Sequence, residues 1–206
     1  MGNIILSLLI FKSMTIYEIR GYIQKNLSTV CSDSLGSIQI AIKNLMQKGF
    51  IRVDMYREKG MLKKKYSITE SGVASYRGWI GTPIDLSKVK DMESGKLFFL
   101  GVAPKEKKVA FLEEHIKGLR NEYEKLCLIK SFVDEIQKDV IEQNVERIKG
   151  EPVNAQNISE VSGGENLRTV LENTYRYQVY MLDYGLMRAK TDIAFFEDVL
   201  RSESDR

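Results

Sequence analysis

The sequence is short of the residues that most chemistry needs. It has one histidine, His115, in 206 residues. That removes most histidine-based metal sites and makes a Ser-His-Asp device an unpromising reading. There are two cysteines, Cys31 and Cys127, far apart in the chain. Two free, buried thiols in a reducing cytoplasm are preferred to a single disulfide. Only three prolines and one tryptophan are present. The unbroken apolar runs are short, as in Leu8–Phe11. A membrane span needs roughly 20 such residues, so no membrane partner is expected. No basic stretch precedes that run and no small-residue cleavage site follows it, so no secretory leader is expected either. Met1-Gly2 resembles a myristoylation start, but Leu6 stands where Ser or Thr is wanted. Phosphate loops, metal-ligand spacings and nucleophile elbows are missing as well. The expectation is a protein that is not an enzyme, with no cofactor, no catalytic residues and no metal site.

What is present is an ordinary core-forming composition, 43% hydrophobic and 29% charged. The charge is divided unevenly. Residues 1–80 carry 12 Lys/Arg against 5 Asp/Glu, a net +7, while residues 81–206 carry 19 against 23, a net −4. A basic first third on an acidic remainder points to two domains with different partners, 1–81 and 82–206.

Periodicity supports that division. Ile4, Ile5, Leu8, Leu9 and Phe11 share a helical face, so 3–12 reads as a short buried helix. Thr15 and Glu18 form a capping box opening a second helix to about Asn26. A third runs from Ser34 to Lys48, with Leu35, Ile38, Ala41, Ile42 and Leu45 inward and Gly49 as its left-handed stop. Phe50, Ile51 and Val53 begin an extended segment, 57–60 is a turn, and 63–69 is a second extended segment. The pair is a hairpin with a basic tip. Thr69 caps a fourth helix over 70–80, which Gly81 and Pro83 end. Three helices, a hairpin and a helix describe a winged helix-turn-helix.

The rest is helical by pattern. Residues 84–100 carry Ile84, Leu86, Val89 and an apolar cluster, Leu97–Leu100. Pro104 opens a helix to about Lys149, with Val109, Leu112, Ile116, Leu119, Tyr123 and Leu126 stepping by threes and fours. Forty-five residues of helix span about 68 Å. Residues 150–164, rich in Asn, Ser and Gly, read as a long polar loop. A last helix over 165–201 carries two apolar stripes. One is Leu167, Val170, Leu171, Thr174, Tyr177, Met181 and Tyr184; the other is Leu182, Leu186, Ile193, Phe196 and Leu200. Such a helix must bury both sides, one of them against a second copy.

Several stretches resemble the PadR-like family of transcriptional regulators. Met14–Ile19 is similar to its hydrophobic-His-Gly-Tyr-Glu-Leu stretch. Gly36–Leu45 is similar to its recognition helix, Gly-Thr/Ser-Ile-Tyr-Pro-Ala-Leu-Lys-Arg-Leu. Gly49–Ile51 matches the Gly-Leu-Ile that leads into the wing, and Gly60–Gly72 resembles the wing and following cap. Lys96–Phe99 and Tyr184–Leu186 are similar to its linker and final dimerisation helices. The chain departs from the pattern at Gln39 and Ile40, where the family has Tyr-Pro. It also departs at Thr15-Ile16 for His-Gly, and at Met61-Leu62 for Arg-Pro.

The resemblance implies a mostly α protein: an N-terminal winged helix-turn-helix, then an α-helical dimerisation domain with long helices. It implies a homodimer that binds double-stranded DNA at a palindromic operator, as a repressor in the cytoplasm. The DNA-binding residues are expected to be Tyr17, Ser34, Ser37, Gln39, Lys43, Lys63, Lys64 and Lys65. Gln39 suits adenine, and strand alternation sets Lys63 and Lys65 against Lys64. Trp79, Phe98, Phe99, Tyr177, Tyr180 and Tyr184 are candidates for a small aromatic effector's pocket or for dimer packing. The alternative is a winged-helix adaptor that binds a protein and has lost its DNA contacts.

Overall fold

A computed structural model describes residues 1–28, 30–58, 60–85 and 93–205. Its elements are α1 (Gly2–Phe11), α2 (Ile16–Asn26), α3 (Leu35–Gln47), β1 (Ile51–Glu58), β2 (Met61–Ile68) and α4 (Glu70–Ile80). There follow α5 (Gly95–Phe99), a 3-10 turn at Leu100–Val102, α6 (Lys105–Lys149), α7 (Pro152–Ser162) and α8 (Leu167–Ser204). This is the expected class, a winged helix-turn-helix followed by long helices. Leu86 and Val89, expected in a helical stretch, lie outside the described residues. The chain forms two compact units, Met1–Ile84 with Asn144–Val170, and Asp85–Gln143 with Leu171–Arg206. Residues 144–170, expected beyond the 1–81 boundary, therefore pack in the first unit.

The first unit is built around α1. Ile5, Leu6 and Leu9 are wholly buried, together with Ile19, Ile23, Ile38 and Val73 from α2, α3 and α4. Short-range rules set the joints. The Glu18 backbone N–H donates to Thr15 Oγ1 at 3.2 Å, and the Thr15 N–H donates to Glu18 Oε2 at 2.7 Å, closing the capping box. At the end of α3, Gly49 takes φ 69°. Its N–H donates to the Met46 carbonyl and that of Phe50 to the Leu45 carbonyl, a Schellman stop. At Gly72 a Cβ would lie 2.1 Å from the Phe50 carbonyl oxygen, so only glycine lets α4 approach the backbone leading into β1 this closely.

The hairpin pairs β1 and β2 antiparallel from Ile51↔Ile68 to Glu58↔Met61. Arg57 and Glu58, expected in the turn, are strand residues because Leu62 and Met61 pair with them. A bridge between Met14 and Tyr66 ties the base of β2 to the start of α2.

The segment 150–164 is not a loop. It is α7, started by Pro152 at its first position and stopped by Gly163 in the left-handed conformation. Ile158 and Asn154 are buried, and Arg77 of α4 pairs with Glu160. Arg147 donates to the Phe11 carbonyl at 3.1 Å and to Glu151 at 3.2 Å. A composition rich in amides and serines concealed a helix that needs only one buried edge.

In the second unit, α6 and α8 run antiparallel. Lys108 pairs with Glu203 at 2.7 Å, Arg120 with Glu197 at 2.6 Å, and Lys130 lies 3.9 Å from Asp183. The Tyr175 hydroxyl donates to the Val133 carbonyl. Leu112 and Ile116 are buried on α6, and Leu171, Tyr175 and Ala189 on α8. The stripe from Leu182 to Leu200 is half-buried, whereas Tyr177, Met181 and Tyr184 are exposed. The cysteines are free, but both are half-exposed rather than buried. His115 is exposed, stacking on Phe111 and meeting Phe196 edge-on. No helix among the described residues is long and apolar enough to cross a membrane.

Candidate nucleic-acid interface

The helix-turn-helix is α2 and α3 with the short connector between them. The connector is pinned by Arg20, whose Nε donates to the Asp33 carbonyl at 3.2 Å. Ser34 caps α3: its hydroxyl accepts from the Ser37 N–H at 3.2 Å and donates to Ser37 Oγ at 2.8 Å. The two hydroxyls expected at the DNA are thus partly occupied with each other. Leu35 and Gly36 are left to present the free N–H groups of the first turn.

One face of α3 is committed to the core through Ile38, Ala41, Ile42 and Leu45. The opposite face exposes Gly36, Ser37, Gln39, Ile40, Lys43 and Asn44. Gln39 and Lys43 therefore lie on the free face, as their spacing from the core residues requires. Tyr17, at the start of α2, is 72% exposed, so it is not a packing residue. Beside it, burial raises the Glu18 carboxyl but is outweighed by the Thr15 hydrogen bonds and by Lys12, leaving the group below its ordinary value.

The wing divides its basic triplet three ways. Lys63 is paired with Glu58, and that hydrogen bond holds its ammonium above the ordinary value. Lys65, on the same face, lines an open cleft with Arg52, Ser67 and Asn157. Lys64 is on the other face beside Met55 and Leu62, exposed, with no ion-pair partner among the described residues. The exposed Arg57 shares that face and was not picked out from the sequence. Alternation from Tyr66, a buried core residue, identifies it.

The six aromatic candidates do not form one group. Trp79 is in the first unit, beside Tyr76 at 6.0 Å. Phe98 and Phe99 meet edge-on at 5.0 Å, and Tyr177 and Tyr180 at 5.6 Å, all in the second unit. No ring contact among the described residues joins these pairs. The open cleft at Lys65 measures about 400 Å³ and carries Asp54 and Glu151 as well as Lys65 and Arg52 on its wall. The Asn157 Nδ2 at its wall is buried with no hydrogen-bond partner among the described residues. Among the described residues no cluster of His, Cys, Asp and Glu is placed to hold a metal.

A winged helix with a free recognition face, joined to long helices, is an architecture shared with known regulators. No family model matches the sequence, and no curated protein matches it significantly. Solved structures do. Bacillus subtilis PadR in complex with operator DNA matches with a TM-score of 0.65 at 20% identity, over 98% of each chain. The same protein in complex with p-coumaric acid matches at 0.61 and 18%, again over 98% of each. The Vibrio cholerae virulence activator AphA matches at 0.60 and 19%, over 99% of this chain and 98% of that one. These proteins are regulators rather than enzymes. The chain has the fold of the PadR-type transcriptional regulators.

Proposed function

We propose that the chain is a PadR-like transcriptional regulator that binds DNA sequence-specifically. The observation that carries this reading is the exposed face of α3, in the basic third of the chain, together with a wing lysine, Lys64, that has no ion-pair partner among the described residues. Gln39 reads adenine; Lys43, Tyr17, Lys64 and the α3 first turn hold phosphates. The regulator acts as a homodimer, its exposed Tyr177–Tyr184 stripe covered by a second copy, so two recognition helices meet a palindromic operator. It is a cytoplasmic repressor and has no enzymatic role. As a solved neighbour is in complex with p-coumaric acid, a small aromatic effector is proposed here too, with the exposed aromatics and the open Lys65 cleft as its candidate seats.

The test is fluorescence anisotropy with DNA from upstream of the protein's own gene against a scrambled fragment, at low and physiological salt. Binding to the upstream fragment alone that survives physiological salt supports the reading. Equal binding to both that salt abolishes overturns it. Exposed Ile40, Met55, Met61 and Leu62 favour a second reading, a protein-binding adaptor. That reading predicts no specific DNA affinity at all.

A further inference from the structure

Ile40 has no role in the fold. It is 64% exposed at the middle of α3, while the helix meets its core through Ile38, Ala41, Ile42 and Leu45 on the opposite side. Most of its surface is left open by the described residues of the first unit. Its neighbours on that face, one turn before and after, are Gly36, Ser37, Lys43 and Asn44, all exposed. A Cβ built on Gly36 would meet nothing within 4 Å, so the surface before Ile40 is low and open. The face is therefore one branched hydrocarbon set among polar and small groups. On the edge of a base pair in the major groove, the apolar group on offer is the C5-methyl of thymine. A side chain without donors or acceptors gains nothing from the other edges and leaves their polar groups without a partner.

We infer that Ile40 is a specificity-determining residue, reading the methyl group of one thymine in each half-site next to the base read by Gln39. This rests on the DNA-binding reading above. It assigns the discrimination to van der Waals and hydrophobic contact rather than to hydrogen bonding. The reading of A·T pairs is then shared: Gln39 takes the adenine edge and Ile40 the methyl of a thymine.

The experiment replaces each thymine of the bound fragment by deoxyuridine, one at a time, which removes the methyl and leaves the hydrogen-bonding edge intact. Affinities are measured for the wild type and for Ile40→Ala. The expected result is one position per half-site where deoxyuridine weakens the wild type about fourfold, the worth of one buried methyl group. At that position Ile40→Ala shows no thymine preference. Because Ile40 is exposed, the variant keeps its fold, which an unchanged thermal melt checks. The inference is overturned if no thymine is methyl-sensitive, or if Ile40→Ala keeps the preference. Failure of the reading itself looks different: no fragment is bound specifically, and no thymine comparison arises.

Discussion

The two units of this chain close their cores to different degrees. In the first, side chains from α1, α2, α3 and α4 are wholly buried among one another. In the second, two long helices share few fully buried residues, and Leu128, Phe132, Tyr177, Tyr184 and Met187 remain more than half exposed. Short helices crossing one another enclose a core from several sides. Two long antiparallel helices meet along one seam, and the apolar stripes beyond that seam need another partner. The first unit thus owes its stability to itself, and under the homodimer reading the second owes much of its own to a second copy.

The largest effects come from breaking the closed core. Gly72→Ala drives a methyl into the Phe50 carbonyl and costs about 3 kcal/mol or more. Ile38→Ala, at a fully buried position, costs about 2–5 kcal/mol. Phe132→Ala, at an exposed one, changes the stability of the isolated chain by less than about 0.5 kcal/mol. Under the homodimer reading its effect shows instead as a lower midpoint at a given protein concentration, with a shallower dependence on that concentration as the second copy is lost. The single tryptophan, Trp79, lies in the first unit, so its fluorescence follows that unit in urea. Far-UV circular dichroism sums the helices of both units, with α6 and α8 the largest share. Midpoints that shift alike in both probes for Ile38→Ala and Phe132→Ala would break the contrast.

A smaller effect sharpens it within the first unit. Glu18 has a folded-state value below its unfolded one. Its contribution is therefore fully present above the unfolded value and is lost as pH falls through the folded one. Thr15→Ala removes the cap, costs about 1 kcal/mol at neutral pH, and makes the acid side of the stability profile shallower. Urea midpoints by Trp79 fluorescence at neutral and acid pH test both parts. An unchanged acid slope would mean the capping box does not govern Glu18.

How much of this was legible depended on the range of the rule involved. Thr15 with Glu18, Gly49 after α3 and Thr69 before α4 act over a few residues, and each marks the joint where the structure has it. Pro104 and the lack of breakers gave α6 the extent Lys105–Lys149. The helix α7 was obscured by its amides and serines, although Pro152 and Gly163 bracket it. The pairing of Lys63 with Glu58 depends on the register of the hairpin, which a basic tip does not disclose. That Tyr17 is exposed is a fact of packing that no spacing encodes.

The finest contrast lies inside the wing. Lys63 and Lys64 are adjacent and equally basic, yet Glu58 neutralises the first and nothing described neutralises the second. Each phosphate contact adds about one to the slope of log affinity against log salt. Lys64→Ala removes one contact from each protomer, so on the proposed homodimer it should lower that slope by about two, with a uniform loss of affinity across sequences. Lys63→Ala alone is an ambiguous probe, because it leaves Glu58 as an uncompensated negative charge beside the DNA. The double variant Glu58→Ala with Lys63→Ala removes a neutral pair and should leave the slope where it was. Equal loss from Lys64→Ala and from the double variant would show that Lys63 leaves Glu58 for a phosphate on binding, so that the free wing differs from the bound one.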